Sequence, residues 1–254
     1  MLYGGWIMKC KVAVVLAVLA GGLFPAANAD EIVVAVASNF TTTLEQIARQ
    51  FEASTDHEVT IVSGATGRHY AQIVNGAPYD MFFAADSETP ARLAEEGRSK
   101  GDPVTYAQGR LALWSHDAGV VDDEGAVLRS GTFRSLAIAN PRLAPYGQAA
   151  VEVLQDLGLY EDLESRLVMG ENIAQTFQFV DTGNAQLGFV AYSQVLTNGQ
   201  AGSWWLVPSP RHSPLTQDAV LLTDNPVARE FLQFITQEAA VAFILESGYE
   251  PPGD

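Results

Sequence analysis

Blocks of hydrophobic residues alternate with polar turns along the chain, and this pattern predicts strands that are each followed by a helix. The first unit runs from the apolar segment 32–37 through the polar pair Ser38-Asn39 into an amphipathic segment, 40–51. We expect a buried strand, a turn with Ser38 or Asn39 at the helix N-cap, and then the helix. Two further units of this kind follow, at 58–74 and 80–96. Strands linked through helices usually pair in parallel, so the pattern predicts an α/β fold.

The chain is expected to cross twice between two lobes. An apolar strand begins near Gly109 after a polar, irregular stretch, and a later strand ends next to Ala191. We place the crossings there. The predicted first lobe then comprises residues 30–108 and 192–254, and the second comprises 109–191. Each lobe is expected to have a mainly parallel sheet flanked by helices, with a ligand cleft between the lobes.

Residues 1–29 have the features of a signal peptide that is removed on export. Two lysines precede a hydrophobic segment, 12–24, and Ala27-Asn28-Ala29 is a small-residue cleavage motif directly before Asp30. We expect cleavage near Ala29-Asp30 and a translation start at Met8. The hydrophobic segment is shorter than the roughly 20 residues of a membrane-spanning helix, which argues against a membrane anchor.

The cysteine content and the net charge of the chain indicate the cellular compartment in which it works and the classes of partner that it can bind. The single cysteine, Cys10, lies within the predicted signal peptide, so the mature chain should have no disulfide, which fits the bacterial periplasm. Removal of Lys9 and Lys11 with the signal peptide takes the formal net charge from −16 to −18. Such a charge disfavours nucleic acid and anionic membrane surfaces as partners. An anion site would therefore depend on local dipoles and short hydrogen bonds.

The sequence contains no arrangement typical of a catalytic or metal site. It has neither a Gly-x-Ser-x-Gly nor a His-Glu-x-x-His motif. Its four histidines are scattered without a metal-ligand spacing, at His57, His69, His116 and His212. We expect no enzyme activity and no cofactor, and a secreted hydrolase is the alternative. Trp204-Trp205 is predicted to be a buried aromatic pair of the first lobe rather than a carbohydrate platform.

Four donor-rich turns stand directly before predicted helices, two in each lobe. They are Ser38-Asn39, 63–67, 145–147 and Asn172-Ile173. The start of a helix has unpaired N–H groups and a partial positive charge, which together attract a small anion. Ordinary helix capping is sufficient to explain any one of these turns taken alone. Two turns on each side of a cleft, however, predict a cage of hydrogen-bond donors around a small anion.

Four stretches of the chain occur in an order that is shared with a known family. They are Ser38-Asn39-Phe40, Ser63-Gly-Ala-Thr66-Gly-Arg-His-Tyr70-Ala-Gln72, Pro78-Tyr-Asp80-Met-Phe-Phe-Ala84 and Pro145-Tyr146-Gly147. In this order the chain resembles the periplasmic molybdate-binding proteins of molybdate ABC importers over nearly its whole mature length. The resemblance implies a two-lobed type II periplasmic-binding-protein fold that closes on molybdate or tungstate as an oxyanion, without a metal cofactor. It also implies a monomer that meets a membrane ABC permease transiently and does not insert into the membrane itself.

The resemblance also assigns ligand residues to this chain. Hydroxyl, amide or main-chain N–H donors of the family fall on Ser38, Asn39, Ala65, Thr66, Tyr146 and Ile173. Of these, Ala65, Tyr146 and Ile173 are expected to donate through the main chain. Many family members have a tyrosine ligand where this chain has Ala191. The adjacent Tyr192 and Asn39 are the candidate replacements.

None of the assigned donors is Asp or Glu, which bears on the choice of anion. Phosphate keeps a proton at neutral pH that requires an acceptor, so a cage made only of donors favours a full dianion such as molybdate. Sulfate is also a bare dianion, and a binder of sulfate or another small anion is the nearest alternative. Arg68 and His69 are expected to point away from the cleft. An Arg68 inside the cleft would instead indicate a binder of organic anions or amino acids.

Overall fold

The computed structural model describes residues 1–2 and 30–252. The predicted signal peptide from residue 3 onward, with Met8, Cys10 and the cleavage motif, lies outside the described residues. Among the residues that are described, no helix is both long enough and apolar enough to cross a membrane.

Within the described residues, ten strands form two sheets. The strands are β1 (Glu31–Ala37), β2 (Glu58–Gly64), β3 (Met81–Phe83), β4 (Val104–Gly109), β5 (Leu111–Ser115), β6 (Leu136–Ala139), β7 (Leu167–Gly170), β8 (Leu187–Ala191), β9 (Ser203–Leu206) and β10 (Leu215–Leu221). The helices in the same part of the chain are α1 (Thr41–Ser54), α2 (Thr66–Val74), α3 (Glu88–Glu95), α4 (Val127–Ser130), α5 (Pro145–Asp156), α6 (Tyr160–Leu163), α7 (Ile173–Asp181), α8 (Tyr192–Thr197), α9 (Pro226–Ile235) and α10 (Glu238–Glu246).

The first sheet has the strand order β2-β1-β3-β10-β4. As the sequence pattern predicts, β1 pairs in parallel with β2 and β3. The later strand β10 is antiparallel to both of its neighbours, β3 and β4. Apolar side chains of β1, such as Val34 and Val36, pack with Leu44 and Ile47 of α1 in one core cluster. We call this sheet and its helices the first lobe.

The second sheet has the order β7-β6-β8-β5-β9, and with its helices it forms the second lobe. Here β6 is parallel to β7 and β8, whereas β5 is antiparallel to β8 and β9. The predicted α/β fold with two helix-flanked sheets is confirmed, but both sheets are mixed rather than mainly parallel. The antiparallel pairings involve β5 and β10, and each of these strands enters its sheet directly from the other lobe rather than through a helix of its own lobe.

The chain passes between the two sheets at two places. Arg110 alone separates β4 of the first sheet from β5 of the second, and residues 207–214 connect β9 with β10. The first connection is therefore very short. The cleft between the lobes opens beside these connections, and the predicted turns lie along it.

The predicted return to the first lobe at residue 192 is wrong for residues 192–206. Helix α8 packs on β5 and β8, and β9 pairs with β5 so that Trp205 lies opposite Leu113. Trp205 is buried in the core of the second lobe, and Trp204 packs against a second cluster there. The aromatic pair is thus packed as predicted but in the other lobe, because an apolar strand pattern does not reveal which sheet the strand joins.

Candidate functional site

A small cavity lies between the two lobes, and all four predicted turns border it. Its volume is about 10 Å³, which is about the room that one water molecule needs. The lining comprises Ala37, Ser38, Asn39, Gly64, Ala65, Thr66, Ala85, Ala144, Pro145, Tyr146, Asn172 and Ile173. Six of the seven residues that the sequence singled out are brought together here.

The first turn follows β1 and contributes Ser38 and Asn39, both buried. The N–H of Phe40 donates to Ala37 O at 2.9 Å, which closes a turn before the helix and delays the start of α1 to Thr41. The expectation of Ser38 or Asn39 as the N-cap is therefore wrong, because Phe40 occupies that position. The extra turn leaves the N–H of Asn39 outside the helix and at the cavity.

The amide nitrogen of the Asn39 side chain is bonded within the protein. Its Nδ2 donates to Gln217 Oε1 at 2.9 Å and to the Tyr249 hydroxyl at 3.3 Å. Its main-chain oxygen accepts a hydrogen bond of 2.7 Å from the Tyr249 hydroxyl. Both amide hydrogens are thus engaged within the protein, so Asn39 offers the cavity its main-chain N–H.

The second turn lies between β2 and α2 and contributes Ala65 and Thr66. The extended backbone of Ala65 makes it the N-cap of α2. The Thr66 hydroxyl accepts a hydrogen bond from the buried N–H of Ala85 at 3.1 Å. Its own proton remains available to an acceptor in the cavity, because one hydroxyl can accept and donate at the same time.

The second lobe contributes two helix starts, those of α5 and α7. Pro145 is the first residue of α5 and Tyr146 the second, so Tyr146 has no helical acceptor for its N–H. Asn172 caps α7 through its side chain, which accepts from Gln175 N–H at 2.9 Å, and Ile173 is the first residue of that helix. Both helices therefore direct their positive ends at the cavity.

Six residues that line the cavity have a main-chain N–H group without a hydrogen bond to any residue that the structure describes. They are Asn39, Ala65 and Thr66 of the first lobe and Tyr146, Asn172 and Ile173 of the second. Buried N–H groups are rarely left without a partner, and an unpaired one costs about 1–3 kcal/mol. Three such groups from each lobe, joined by the Ser38 and Thr66 hydroxyls, suit an anion that accepts hydrogen bonds from several directions.

No charged residue lines the cavity. A larger groove of about 590 Å³ lies next to it and shares Thr66, Ala144 and Pro145. That groove is lined by three carboxylate residues, Asp86, Glu88 and Glu152, against one cationic residue, Arg142, and so does not favour an anion. The neutral, donor-lined cavity is the better anion site.

Direct contacts between the lobes surround the cavity. The Ser38 hydroxyl accepts from Ala174 N–H at 3.3 Å. The N–H of Gly67 donates to Leu143 O at 2.9 Å, across the cleft. The structure therefore has its lobes closed against each other.

Arg68, His69 and Tyr192 are not among the residues that line the cavity. The Arg68 guanidinium is exposed and pairs with Glu171 of the second lobe at 3.2 Å. The buried His69 ring lies beside Gly64, with Nε2 3.1 Å from Val36 O, and burial lowers its pKa. Tyr192 lies against Arg110, whose guanidinium carbon is 5.8 Å from the ring centroid. The structure thus does not bring the candidate replacement Tyr192 into the cavity.

A buried polar cluster behind the cavity was not predicted from the sequence. Its members are Asn39, Tyr106, Tyr146, Gln217 and Tyr249. Burial raises the pKa of all three tyrosines, so their hydroxyls stay protonated and can donate hydrogen bonds. The signal available in the sequence was a glutamine inside the apolar strand β10, an unusual residue for a fully buried position.

Sequence and structure comparisons identify the same group of proteins. Residues 32–250 match the family of bacterial extracellular solute-binding proteins. The molybdate-binding protein ModA of Azotobacter vinelandii is 51% identical over 241 residues, which cover 92% of this chain and 96% of that protein. ModA of Rhodobacter capsulatus is 45% identical, with 93% and 94% covered.

The solved structure of the Azotobacter vinelandii periplasmic molybdate-binding protein superposes with a TM-score of 0.85 at 41% identity, and 87% of this chain and 100% of that chain are covered. The likeness therefore extends over both lobes and the cleft between them. The chain belongs to the family of bacterial extracellular solute-binding proteins and, within it, to the ModA proteins.

Proposed function

We propose that the protein binds molybdate in the cavity between its lobes and delivers it to the permease of an ABC transporter. The observation that carries this proposal is the set of six unpaired main-chain N–H groups, three from each lobe, on residues that line one small uncharged cavity. The ModA relatives, which are named as molybdate-binding proteins, support the same ligand. The protein acts as a binding protein rather than an enzyme.

The chemistry of the lining supports a full dianion over phosphate. Monohydrogen phosphate carries a proton that needs an acceptor, and the lining has no carboxylate to provide one. Burial of that proton without an acceptor would cost about 1–3 kcal/mol. Tungstate has the same charge and shape as molybdate, so we include it in the proposed ligand class.

The cavity volume and the position of Arg68 disfavour the organic-anion alternative. Any occupant must widen a cavity of about 10 Å³, and an amino acid would require far more widening than a five-atom oxyanion. The Arg68 side chain, which would have to clamp a carboxylate, is bonded to Glu171 at the surface instead. A binder of sulfate is the alternative that the lining itself does not exclude, since sulfate is also a bare dianion.

The proposed setting is the periplasm, with the chain acting as a monomer after removal of its signal peptide. The sequence of residues 1–29 and the absence of cysteine after Cys10 support this setting. Sequencing of the N-terminus of protein recovered from the periplasm would test it, and a first residue other than Asp30 or a close neighbour would contradict the cleavage site.

Calorimetric titration with molybdate, tungstate, sulfate and phosphate tests the ligand. We expect binding of molybdate and tungstate, much weaker binding of sulfate, and none of phosphate. Sulfate binding as tight as molybdate binding would overturn the molybdate assignment. Turnover of ester or phosphate substrates that disappears in Ser38→Ala would favour the hydrolase instead.

A further inference from the structure

Gln217 of β10 is the central member of the polar cluster behind the cavity. Its side chain is completely buried. Its Oε1 accepts hydrogen bonds from Asn39 Nδ2 and from the Tyr106 hydroxyl, both at 2.9 Å. Its Nε2 donates to the Tyr146 hydroxyl at 3.2 Å. One carboxamide thus holds three polar side chains in a region without access to solvent.

Two of these three partners are cavity residues from different lobes. Asn39 follows β1 of the first lobe, and Tyr146 belongs to α5 of the second, whereas Gln217 itself does not line the cavity. The bond from Gln217 to Tyr146 therefore crosses between the lobes. Because Asn39 and Tyr146 each present a main-chain N–H to the cavity, the carboxamide links one donor residue of each lobe.

The same contact lies against the short connection between the lobes. A β-carbon on Gly109, the last residue of β4, would overlap both the Tyr146 hydroxyl and the Gln217 amide nitrogen. Arg110, the only residue between β4 and β5, follows directly. A rotation of one lobe relative to the other must therefore alter the geometry of the bond between Gln217 and Tyr146.

We propose that Gln217 is a positioning residue for the anion site: it fixes Asn39 and Tyr146 relative to each other, so that their N–H groups are aligned when the lobes are closed. This inference rests on the proposed anion-binding function. A carboxamide suits the role because it donates and accepts at once and carries no charge. A carboxylate in its place would add a buried negative charge close to the anion.

The decisive variant is Tyr146→Phe, which removes only the hydroxyl that Gln217 contacts and keeps the main-chain N–H. Tyr79→Phe is its matched control, because the hydroxyl of the buried Tyr79 is also bonded to a glutamine side chain, here donating to Gln72 Oε1 at 3.1 Å, but away from the cavity. We expect both variants to lose similar stability to urea in anion-free buffer. Only Tyr146→Phe should bind the anion more weakly, by roughly fivefold or more, as expected for one hydrogen bond.

A second variant, Gln217→Met, tests whether the loss of affinity in Tyr146→Phe results from the lost bond to the Gln217 carboxamide. We expect it to weaken binding at least as much as Tyr146→Phe, and the double variant to bind no more weakly than Gln217→Met alone. Equal affinities of Tyr146→Phe and Tyr79→Phe would overturn the proposal, as would additive losses in the double variant. If Gln217→Met does not fold, the comparison of Tyr146→Phe with Tyr79→Phe still tests the proposal.

The titrant is whichever of molybdate, tungstate, sulfate and phosphate the unmodified protein binds most tightly. A preference for sulfate refutes the proposed ligand but leaves the comparison of variants valid, so the two failures are distinguishable. A protein that binds none of the four anions overturns both proposals.

Discussion

Replacement of Gly67 by alanine should have opposite effects on folding and on ligand binding. Gly67 lies in the first turn of α2 with a helical backbone, so alanine fits its conformation. An added β-carbon would lie 3.2 Å from Leu143 Cα and 3.3 Å from Leu143 O, on the other side of the cleft. These distances are shorter than ordinary van der Waals contacts, so Leu143 of the second lobe must move away from α2 by a few tenths of an ångström.

The size of each effect follows from the contacts that change. In a helix, alanine is favoured over glycine by up to about 1 kcal/mol, which should stabilise the anion-free protein. This displacement of Leu143 weakens the 2.9 Å bond from Gly67 N–H to Leu143 O across the cleft. Loss of one such bond costs about 1 kcal/mol, or roughly a fivefold loss of molybdate affinity.

Urea unfolding in molybdate-free buffer and calorimetric titration with molybdate measure the two effects separately. Ala71→Gly, at an exposed position of the same helix, is the control: it should lower stability and leave affinity unchanged. A Gly67→Ala variant with unchanged affinity would show that the close approach of the lobes is not needed for binding. A loss of stability in Gly67→Ala, in place of the expected gain, would refute the argument from helix propensity.

Three further changes test the site and its support. Ser38→Ala removes a hydroxyl at the cavity and should lower molybdate affinity about 10- to 100-fold in calorimetry, since hydrogen bonds to charged groups contribute about 1.5–3 kcal/mol; unchanged affinity would remove Ser38 from the site. Thr66→Val leaves the buried N–H of Ala85 without its acceptor and should lower the free energy of unfolding by about 1–3 kcal/mol in urea titrations, whereas Thr66→Ser should not. Burial lowers the pKa of His69, so the unfolded chain binds a proton first and stability should fall as the pH drops below about 6.5, by at most about 1.4 kcal/mol per pH unit. In His69→Gln, the free energy of unfolding measured from pH 5 to 7.5 should fall less steeply with decreasing pH. An equal dependence on pH in the variant and the unmodified protein would show that His69 is not responsible.

The turns that line the cavity were predictable because each is a local feature. A strand, a polar turn and a helix start lie within about 20 residues, so the four turns could be recognised without knowledge of tertiary contacts. The resemblance to the molybdate-binding proteins then assigned individual donors within them, such as Ala65, Tyr146 and Ile173. The start of α1 was less predictable. The turn closed by Phe40 N–H and Ala37 O is as compatible with the sequence as a cap at Ser38.

Contacts between distant segments could not be predicted in the same way. Asn39 and Gln217 are 178 residues apart, and Asn39 and Tyr249 are 210 apart. Nothing in the pattern around Asn39 indicates that its amide is used by these partners and not by a ligand. The lobe of β9 was mispredicted for the same reason. Trp205 pairs with Leu113, which lies 92 positions earlier in the chain, and only the tertiary fold brings the two strands together.

The unpaired donors at the cavity are main-chain groups, and this affects how the site can change by mutation. Proline alone among the residue types lacks an N–H, so almost no single substitution at Asn39, Ala65, Tyr146 or Ile173 deletes a donor. The side chains of Ala65 and Ile173 therefore matter to these donors only through packing, and the methyl group of Ala65 adds no donor of its own. Those of Asn39 and Tyr146 act indirectly, because their bonds to Gln217 hold the backbone that presents the N–H groups.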